Sequence, residues 1–356
     1  MKVLVTGGGG FVMANFVRHW LEVDQGHQVV ALDAAALDEA ARRYFAPVAG
    51  RLRFVEGDVA SPAAWAKLPT DVDYVVHGAA VTPYAYTDGA GRRHDPERED
   101  PLRVLNANIM GTGHALNWAR GLPGLRRFVY VSTGSVYIDS VPAQENQFFP
   151  LPEDGFIGPT ALYDVTKYSS ELIALRFKQL YAMDLAIVRL SSVFGPMDRQ
   201  TAARNVRNVI NQVTHAAAAR RTLKVDSADA VGDYVYAPDV AGALRRLLLA
   251  PRGALHHGVY NVAGGVTSTV RDLVALAAAA VPGFKLEVVD AAVADLRTVP
   301  DRRSGKWAAY DITRAVEDLG WRPRPLADAV RDYITWLRAE GNEGGRISQR
   351  RPDEEV

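Results

Sequence analysis

The segment VLVTGGGGFV, residues 3–12, constrains the fold more than any other stretch of the chain. A short β-branched run meets four consecutive glycines, Gly7 to Gly10, and then an apolar run that begins at Phe11 with helical spacing. Glycine loses more conformational freedom on ordering than any other residue, so four in a row beside a strand require a backbone reason. A strand, a glycine turn and a helix start aim several N–H groups and the positive helix end at one point, which suits a phosphate. Gly7 and Gly10 are the expected closest approaches, and Gly8 and Gly9 are expected to keep the turn free of side chains. Asp33 closes the next strand, twenty positions past Met13, where a dinucleotide fold binds the adenosine ribose hydroxyls. A carboxylate there favours NAD, because it repels the 2′-phosphate of NADP. Met13 breaks the pattern by standing where a further glycine usually serves close helix-to-strand packing. A methionine there is expected to push the first helix outward or to fill a gap left by small neighbours such as Ala79 and Ala80.

The rest of the chain repeats this opening rhythm. Short apolar runs at 2–6, 28–33, 52–57, 72–78, 127–132, 185–190 and 259–263 read as strands, and most are apolar on both faces, as in a parallel sheet buried under helices. Apolar spacing near 3.6 predicts helices at about 11–24, 101–120, 161–182, 203–219, 238–249, 269–280, 312–319 and 326–339. The expected fold class is therefore α/β, a Rossmann-type doubly wound parallel sheet. Residues 82–101 are polar and rich in Gly and Pro, and read equally well as a lid and as a solvated surface loop. Tyr84 and Tyr86 within it either contact substrate or cover the surface. Residues 341–356 hold almost no apolar content and read as a disordered tail.

Composition excludes several function classes. Lys plus Arg and Asp plus Glu both total 41, so no basic surface for nucleic acid is indicated. The absence of cysteine removes disulfides, thiolate metal sites and a cysteine nucleophile. The scattered histidines offer no metal-ligand spacing. No apolar run reaches membrane-spanning length and the N-terminus has no signal-peptide layout, so a cytoplasmic protein is expected.

A second constellation lies in YDVTK, where Tyr163 and Lys167 are four apart on one face of the helix predicted over 161–182. A phenol with a pKa of about 10 is a poor base at neutral pH, but a neighbouring ammonium and a cationic nicotinamide both favour the phenolate. Tyr163 can then take the proton of a substrate hydroxyl while hydride leaves to the cofactor. Lys167 can also bond the nicotinamide ribose. Thr133 stands at the carboxyl end of a strand, where such sheets bind ligands, although hydroxyls there also cap backbone groups. His77 reads as a packed histidine at a strand end.

Taken in order, TGGGGFV, Asp33, GDV (57–59), HGAA (77–80), NIMGT (108–112), VSTGSVY (131–137), YDVTK, RLSSVFGP (189–196), GDYVYAPDVA (232–241) and LGWRP (319–323) resemble the extended short-chain dehydrogenase/reductase superfamily. Within it the chain is most similar to the NAD-dependent sugar epimerase and dehydratase group, from residue 1 to about 340. The resemblance implies a cofactor domain of residues 1–190 with 233–263 returning to it. It also implies a smaller C-terminal α/β substrate-binding domain of 191–232 and 264–340. It implies that Gly7, Gly10, Phe11 and Val12 hold the pyrophosphate, Asp58 and Val59 flank the adenine, and Ala79 and Ala80 line the cofactor path. Asn108 would order the active-site helix, Ser191 and Val193 would sit near the nicotinamide, and Thr133 would join Tyr163 and Lys167 as the catalytic hydroxyl. Candidate substrate contacts are Thr82, Ser135, Ser192, Arg302 and Arg303. The implied partner is a sugar-like small molecule, and the implied assembly is a homodimer through helices 101–120 and 161–182.

Three departures narrow the chemistry. Dehydratases of the group place an Asp-Glu pair after the catalytic Thr, where this chain has Gly134 and Ser135, so 4,6-dehydration is not expected. Ser192 replaces an Asn and Gly232 an Arg that touch the diphosphate in nucleotide-sugar members, which weakens a nucleotide sugar as substrate. Epimerisation through a transient ketone is the favoured expectation. Net oxidation of a free sugar, sugar acid or related alcohol is the alternative, since both reactions use the same trio.

Overall fold

The computed structural model describes all residues except 84, 88–91, 138–149, 156, 202, 205–206, 298–307 and 345–356, with backbone only at 86–87 and 341–344. The chain divides into two compact units. One comprises Met1–Arg207, Gly232–Thr267 and Asp301–Pro323, and the other Asn208–Val231, Ser268–Pro300 and Arg324–Val356.

The first unit is built on seven parallel strands: β1 (Lys2–Thr6), β2 (Gln28–Asp33), β3 (Leu52–Glu56), β4 (Tyr74–His77), β5 (Arg127–Thr133), β6 (Leu185–Leu190) and β7 (Val259–Val262). Their spatial order is β3-β2-β1-β4-β5-β6-β7. The order reverses between β1 and β4, which opens a crevice at their carboxyl ends. Alternate residues of each strand serve opposite faces. Val3 and Val5 join one core with Phe16, Trp20 and Leu244. Leu4 joins the other with Leu116, Phe128 and Ile187. Double-sided burial explains why the strands read as continuous apolar runs.

Three helices matter most for the site: α1 (Phe11–Val23), α2 (Leu162–Tyr181) and α3 (Ala237–Leu249). The helix expected over 101–120 is present in three pieces, Pro101–Leu105, a wide π turn at Asn106–Met110, and Gly111–Ala119. Arg127, at the start of β5, donates both ends of its guanidinium to Asp184 at 2.8 Å and also bonds the carbonyls of Leu247 and Ala250 at the end of α3. A cation at a helix C-terminus meets the negative end of its dipole.

The polar stretch 82–101 holds a two-stranded ladder, Tyr86–Thr87 with Arg93–His94, and a helical turn at Pro96–Glu99. Residues 191–207, Gly232, 264–267 and 308–323, which the expected bounds assign to the smaller domain, fall in the first unit by their contacts. Pairing accounts for this: Ser192–Phe194 runs parallel to Tyr234–Tyr236, and the Tyr310 N–H donates to Asp233 Oδ2 at 3.1 Å.

In the second unit the helices Val209–Ala218, Val270–Ala280 and Leu326–Gly344 pack together, beside two short parallel strands at Leu223–Val225 and Leu286–Val288. The last helix runs on to Gly344 into the stretch read as a tail, whose remaining residues lie outside the described ones. Among the described residues no helix is long and apolar enough to cross a membrane, and no group of acidic or histidine side chains is arranged to hold a metal ion.

Candidate active site

The glycine loop connects β1 to α1, and each glycine has its own reason. Gly7 has φ +71°, and a Cβ on it would lie 2.9 Å from the Ala79 Cα. Gly8 abuts β2, where a Cβ would come within 2.6 Å of the Ala31 Cβ, so strand packing demands this glycine as well as the turn. The Gly9 N–H donates to Asp33 Oδ2 at 2.9 Å, and its carbonyl accepts from Arg199 at 3.2 Å. Gly10 begins α1 with no side chain capping the helix start. A rim without side chains, an uncapped helix N-terminus and a carboxylate at the end of β2 together fit a dinucleotide. Burial raises the Asp33 carboxyl above its usual range, opposed by backbone N–H groups and by Arg199.

Met13 is buried, and its side chain fills the room beside Gly78, where a Cβ would meet its Cγ at 2.6 Å. The gap it fills is therefore the one left by Gly78 rather than by Ala79 or Ala80. Phe11 and Val12 are the first residues of α1. Asp58 turns its carboxylate onto the Ala60 N–H at 2.9 Å. Buried Val59 lies against Gly111, and its carbonyl accepts from the Trp65 indole. The Ala79 N–H donates to Thr6, and Ala80 is half-buried.

Two of the catalytic candidates, Lys167 and Thr133, meet the carboxyl-terminal half of β5. The buried ammonium of Lys167 donates to the Val131 carbonyl at 2.6 Å and stands 4.2 Å from the centre of the Tyr130 ring. Thr133 lies two residues further along β5, and its hydroxyl accepts from the Ser135 N–H at 3.1 Å. Tyr163, also buried, lies one turn before Lys167 on α2. Burial pushes Lys167 down to about 7, against the pull of Glu171. Glu171 is itself held by two partners: Arg189 grips it from Nε and Nη2, at 3.0 and 2.6 Å, and Ser132 donates to it at 2.5 Å.

Asn108 sits in the π turn and ties that turn to α2. Its amide donates to Thr166 at 3.0 Å and to the Val81 carbonyl at 3.1 Å, while its own carbonyl accepts from Ser170 at 2.9 Å. Its side-chain oxygen takes the Val81 N–H at 2.8 Å. Wide turns of this kind often mark functional sites, because they re-aim the residues within them.

His77 ends β4, fully buried, as a packed strand-end histidine. The Thr112 hydroxyl donates to the Asn108 carbonyl at 2.6 Å, so His77 Nε2 carries the proton that meets Thr112 at 3.1 Å. Nδ1 is then the acceptor for Thr6, at 2.7 Å. The Thr6 oxygen in turn accepts the Gly78 and Ala79 N–H groups. This tautomer is assigned from the network. Burial, and secondarily Lys167, lower His77 to about 3, so it stays neutral and works as a structural link.

The candidate substrate contacts fare unevenly. Thr82 donates its hydroxyl to the Ala203 carbonyl at 2.8 Å, which is a structural role. Ser135 is half-buried, and Ser192 is exposed in its short strand. Half-buried Ser191 precedes that strand, and buried Val193 is its middle residue. Arg302, Arg303 and Tyr84 lie outside the described residues, as does the Tyr86 side chain. At Gly232 no side chain fits, because a Cβ would lie 2.7 Å from the Tyr234 Cζ. The missing arginine is thus matched by a phenol in its space.

Sequence reasoning missed three groups. Glu97, in the 82–101 segment, accepts the Leu162 N–H at 2.9 Å and so caps α2 one residue before Tyr163. Arg199 reaches Gly9 and pairs with Asp38 at 2.7 Å. Asp233 accepts N–H bonds from Gly264, Gly265 and Tyr310, with burial pushing its carboxyl up to about 6. Glu97 and Arg199 lie in polar segments without periodicity, so nothing local signalled them. Asp233 lies in GDYVYAPDVA, but its partners Gly264, Gly265 and Tyr310 are distant in sequence, so the motif by itself assigns it no role.

A model of the NAD dependent epimerase/dehydratase family matches residues 3–263. The chain is 30% identical to a dTDP-glucose 4,6-dehydratase of Streptomyces antibioticus, covering 95% of this chain and 92% of that protein. It is 28% identical to a UDP-glucose 4-epimerase of Mycolicibacterium smegmatis, over 95% and 99%. Among solved structures, a UDP-glucose 4-epimerase of Thermotoga maritima with UDP-glucose shares the fold at a TM-score of 0.74 and 24% identity, over 96% of this chain and 99% of that one. A UDP-glucuronic acid 4-epimerase of Bacillus cereus, solved with UDP-glucuronic acid and NAD, also shares the fold at a TM-score of 0.74 and 20% identity, over 96% and 100%.

Proposed function

The chain belongs to the NAD dependent epimerase/dehydratase family, and from that premise we propose that it removes hydride from a secondary alcohol of a sugar or sugar derivative and acts as an epimerase through a transient ketone. NAD, when bound, accepts that hydride and gives it back. Gly7, Gly10 and the start of α1 would hold its pyrophosphate, and Asp33 its adenosine ribose. Tyr163 takes the hydroxyl proton as the carbon–hydrogen bond breaks and a carbonyl forms, and returns the proton when hydride re-enters from the opposite face. Thr133 holds the same oxygen. Lys167, as an ammonium one turn away, favours the Tyr163 phenolate. The observation that supports the reading is the hydrogen bond from the Lys167 ammonium to the Val131 carbonyl of β5, two residues before Thr133 in the strand and one helical turn after Tyr163 on α2.

A net dehydrogenase uses the same trio and differs in releasing ketone and NADH. Gly134 and Ser135 offer no carboxylate that could expel hydroxide, so dehydration is not part of the proposal. The reading includes work in the cytoplasm as a homodimer. Its support is the apolar side chains left exposed on the two helices the family resemblance assigns to the dimer: Leu102 and Met110, with Val165, Leu172 and Leu180 on α2.

The test is to denature the purified protein, identify any released nucleotide, and then offer free and nucleotide-linked sugars with NAD. Retained NAD and inverted sugar without NADH accumulation are expected. Steady NADH formation would replace epimerase by dehydrogenase, and inactivity on every sugar would reject both.

A further inference from the structure

Gly134 directly follows Thr133, and the space its side chain would take is already filled. A Cβ on Gly134 would lie 2.5 Å from both Cε1 and Cζ of Tyr310. That is closer than non-bonded carbon atoms can approach, and the obstruction is the hydroxyl end of a rigid ring, its Oη included, rather than the end of a flexible chain. Tyr310 comes from far along the sequence and is held firmly. Its N–H donates to Asp233 Oδ2, and its neighbours exchange bonds with Leu151, Leu151 N–H to Ala309 O at 2.7 Å and Asp311 N–H to Leu151 O at 2.9 Å. Its ring packs on Tyr137, with centroids 5.6 Å apart, in a small apolar cluster with Val136 and Ala308. Only 7% of Tyr310 is exposed, so the ring cannot swing aside without breaking this packing.

We propose that Tyr310 is a specificity-determining residue of the substrate site: its phenol replaces the side chain of residue 134 as the wall beside the catalytic hydroxyls. The inference rests on the sugar-oxidising role of Thr133 and Tyr163 proposed above. A phenol at that wall offers a hydroxyl and no carboxylate, and so takes a hydroxyl-bearing carbon next to the one being oxidised. It also sterically forbids an acidic residue at 134, so the ketone is returned or released with its neighbouring hydroxyl in place. Glycine at 134 and tyrosine at 310 are then one unit, and neither is free to change alone.

The experiment compares wild type, Gly134→Ala, Tyr310→Ala and the double variant as holoproteins, by melting temperature and by kcat and KM on sugars differing at the carbon next to the reacting one. Gly134→Ala is expected to lower the melting temperature and to reduce kcat/KM by about tenfold or more, the scale of one misplaced methyl group in a fitted site. Adding Tyr310→Ala is expected to recover part of both losses. Tyr310→Ala alone is expected to change the choice among sugars with NAD affinity preserved. Additive melting temperatures, a Gly134→Ala protein with wild-type stability and kcat/KM, or unaltered sugar choice in Tyr310→Ala would each overturn the inference. If wild type turns over no sugar, the proposed function fails. The melting-temperature cycle then still decides whether the two residues form one unit.

Discussion

At Lys167 an ammonium has left water for the space between α2 and β5, and its proton affinity falls from 10.5 to about 7. Below about pH 7 both folded and unfolded chains hold the proton, and the native state bears the whole cost of the buried charge. Between 7 and 10.5 the unfolded chain binds more protons, so the stability of the wild type rises with pH across that window. Lys167→Met removes the dependence. Urea melts should show wild-type stability gaining on that variant by roughly 1 kcal/mol per pH unit through the window, and a pH-independent difference would refute the burial argument. Tyr163→Phe is expected to keep NAD affinity and to lose turnover by a factor on the order of hundreds or more, in a steady-state assay on the true substrate. Asp33→Ala should weaken NAD relative to NADP in a binding titration. An unchanged ratio would mean that the Gly9 contact alone explains the aspartate. All three residues were legible in the sequence because strand–glycine–helix and Tyr-x-x-x-Lys spacings fix relative placement locally. Glu97, Arg199 and Tyr310 were not, since each acts on a segment distant in sequence.

At the scale of elements, the β1–glycine–α1 unit shows how a departure from pattern becomes packing. Met13 on α1 fills what Gly78 leaves open at the end of β4, so helix and strand stay close without a glycine on the helix. Met13→Ala should cost roughly 2–4 kcal/mol in chemical denaturation, as expected for a buried cavity. A loss under about 1 kcal/mol would mean that the site collapses around it. The strands and helices were readable because double-sided burial and 3.6-residue periodicity leave strong signals. The π turn at Asn106–Met110 was invisible to periodicity, since it depends on Asn108 and Thr112 finding partners on other elements. The short strands Ser192–Phe194 and Leu286–Val288 were missed because three residues carry too little pattern.

For the whole molecule, the exposed apolar residues of α2 and of the 101–119 helix, Leu172 at 51% and Leu102 at 65% among them, are what a second copy of the chain would cover. Leu172→Arg should convert a dimer to a monomer at micromolar concentration in light scattering while NAD binding persists, and a wild type that is already monomeric would dismiss the assembly. The sequence by itself determined the sheet, the order of its helices, the glycine cradle and the Tyr163–Lys167 pair, because each follows from burial or from spacing within one element. Only the tertiary structure decided what fills the space at Gly78, Gly134 and Gly232. A missing side chain is a vacancy in the sequence but a surface in the fold, and close packing lets a methionine or a distant phenol occupy it.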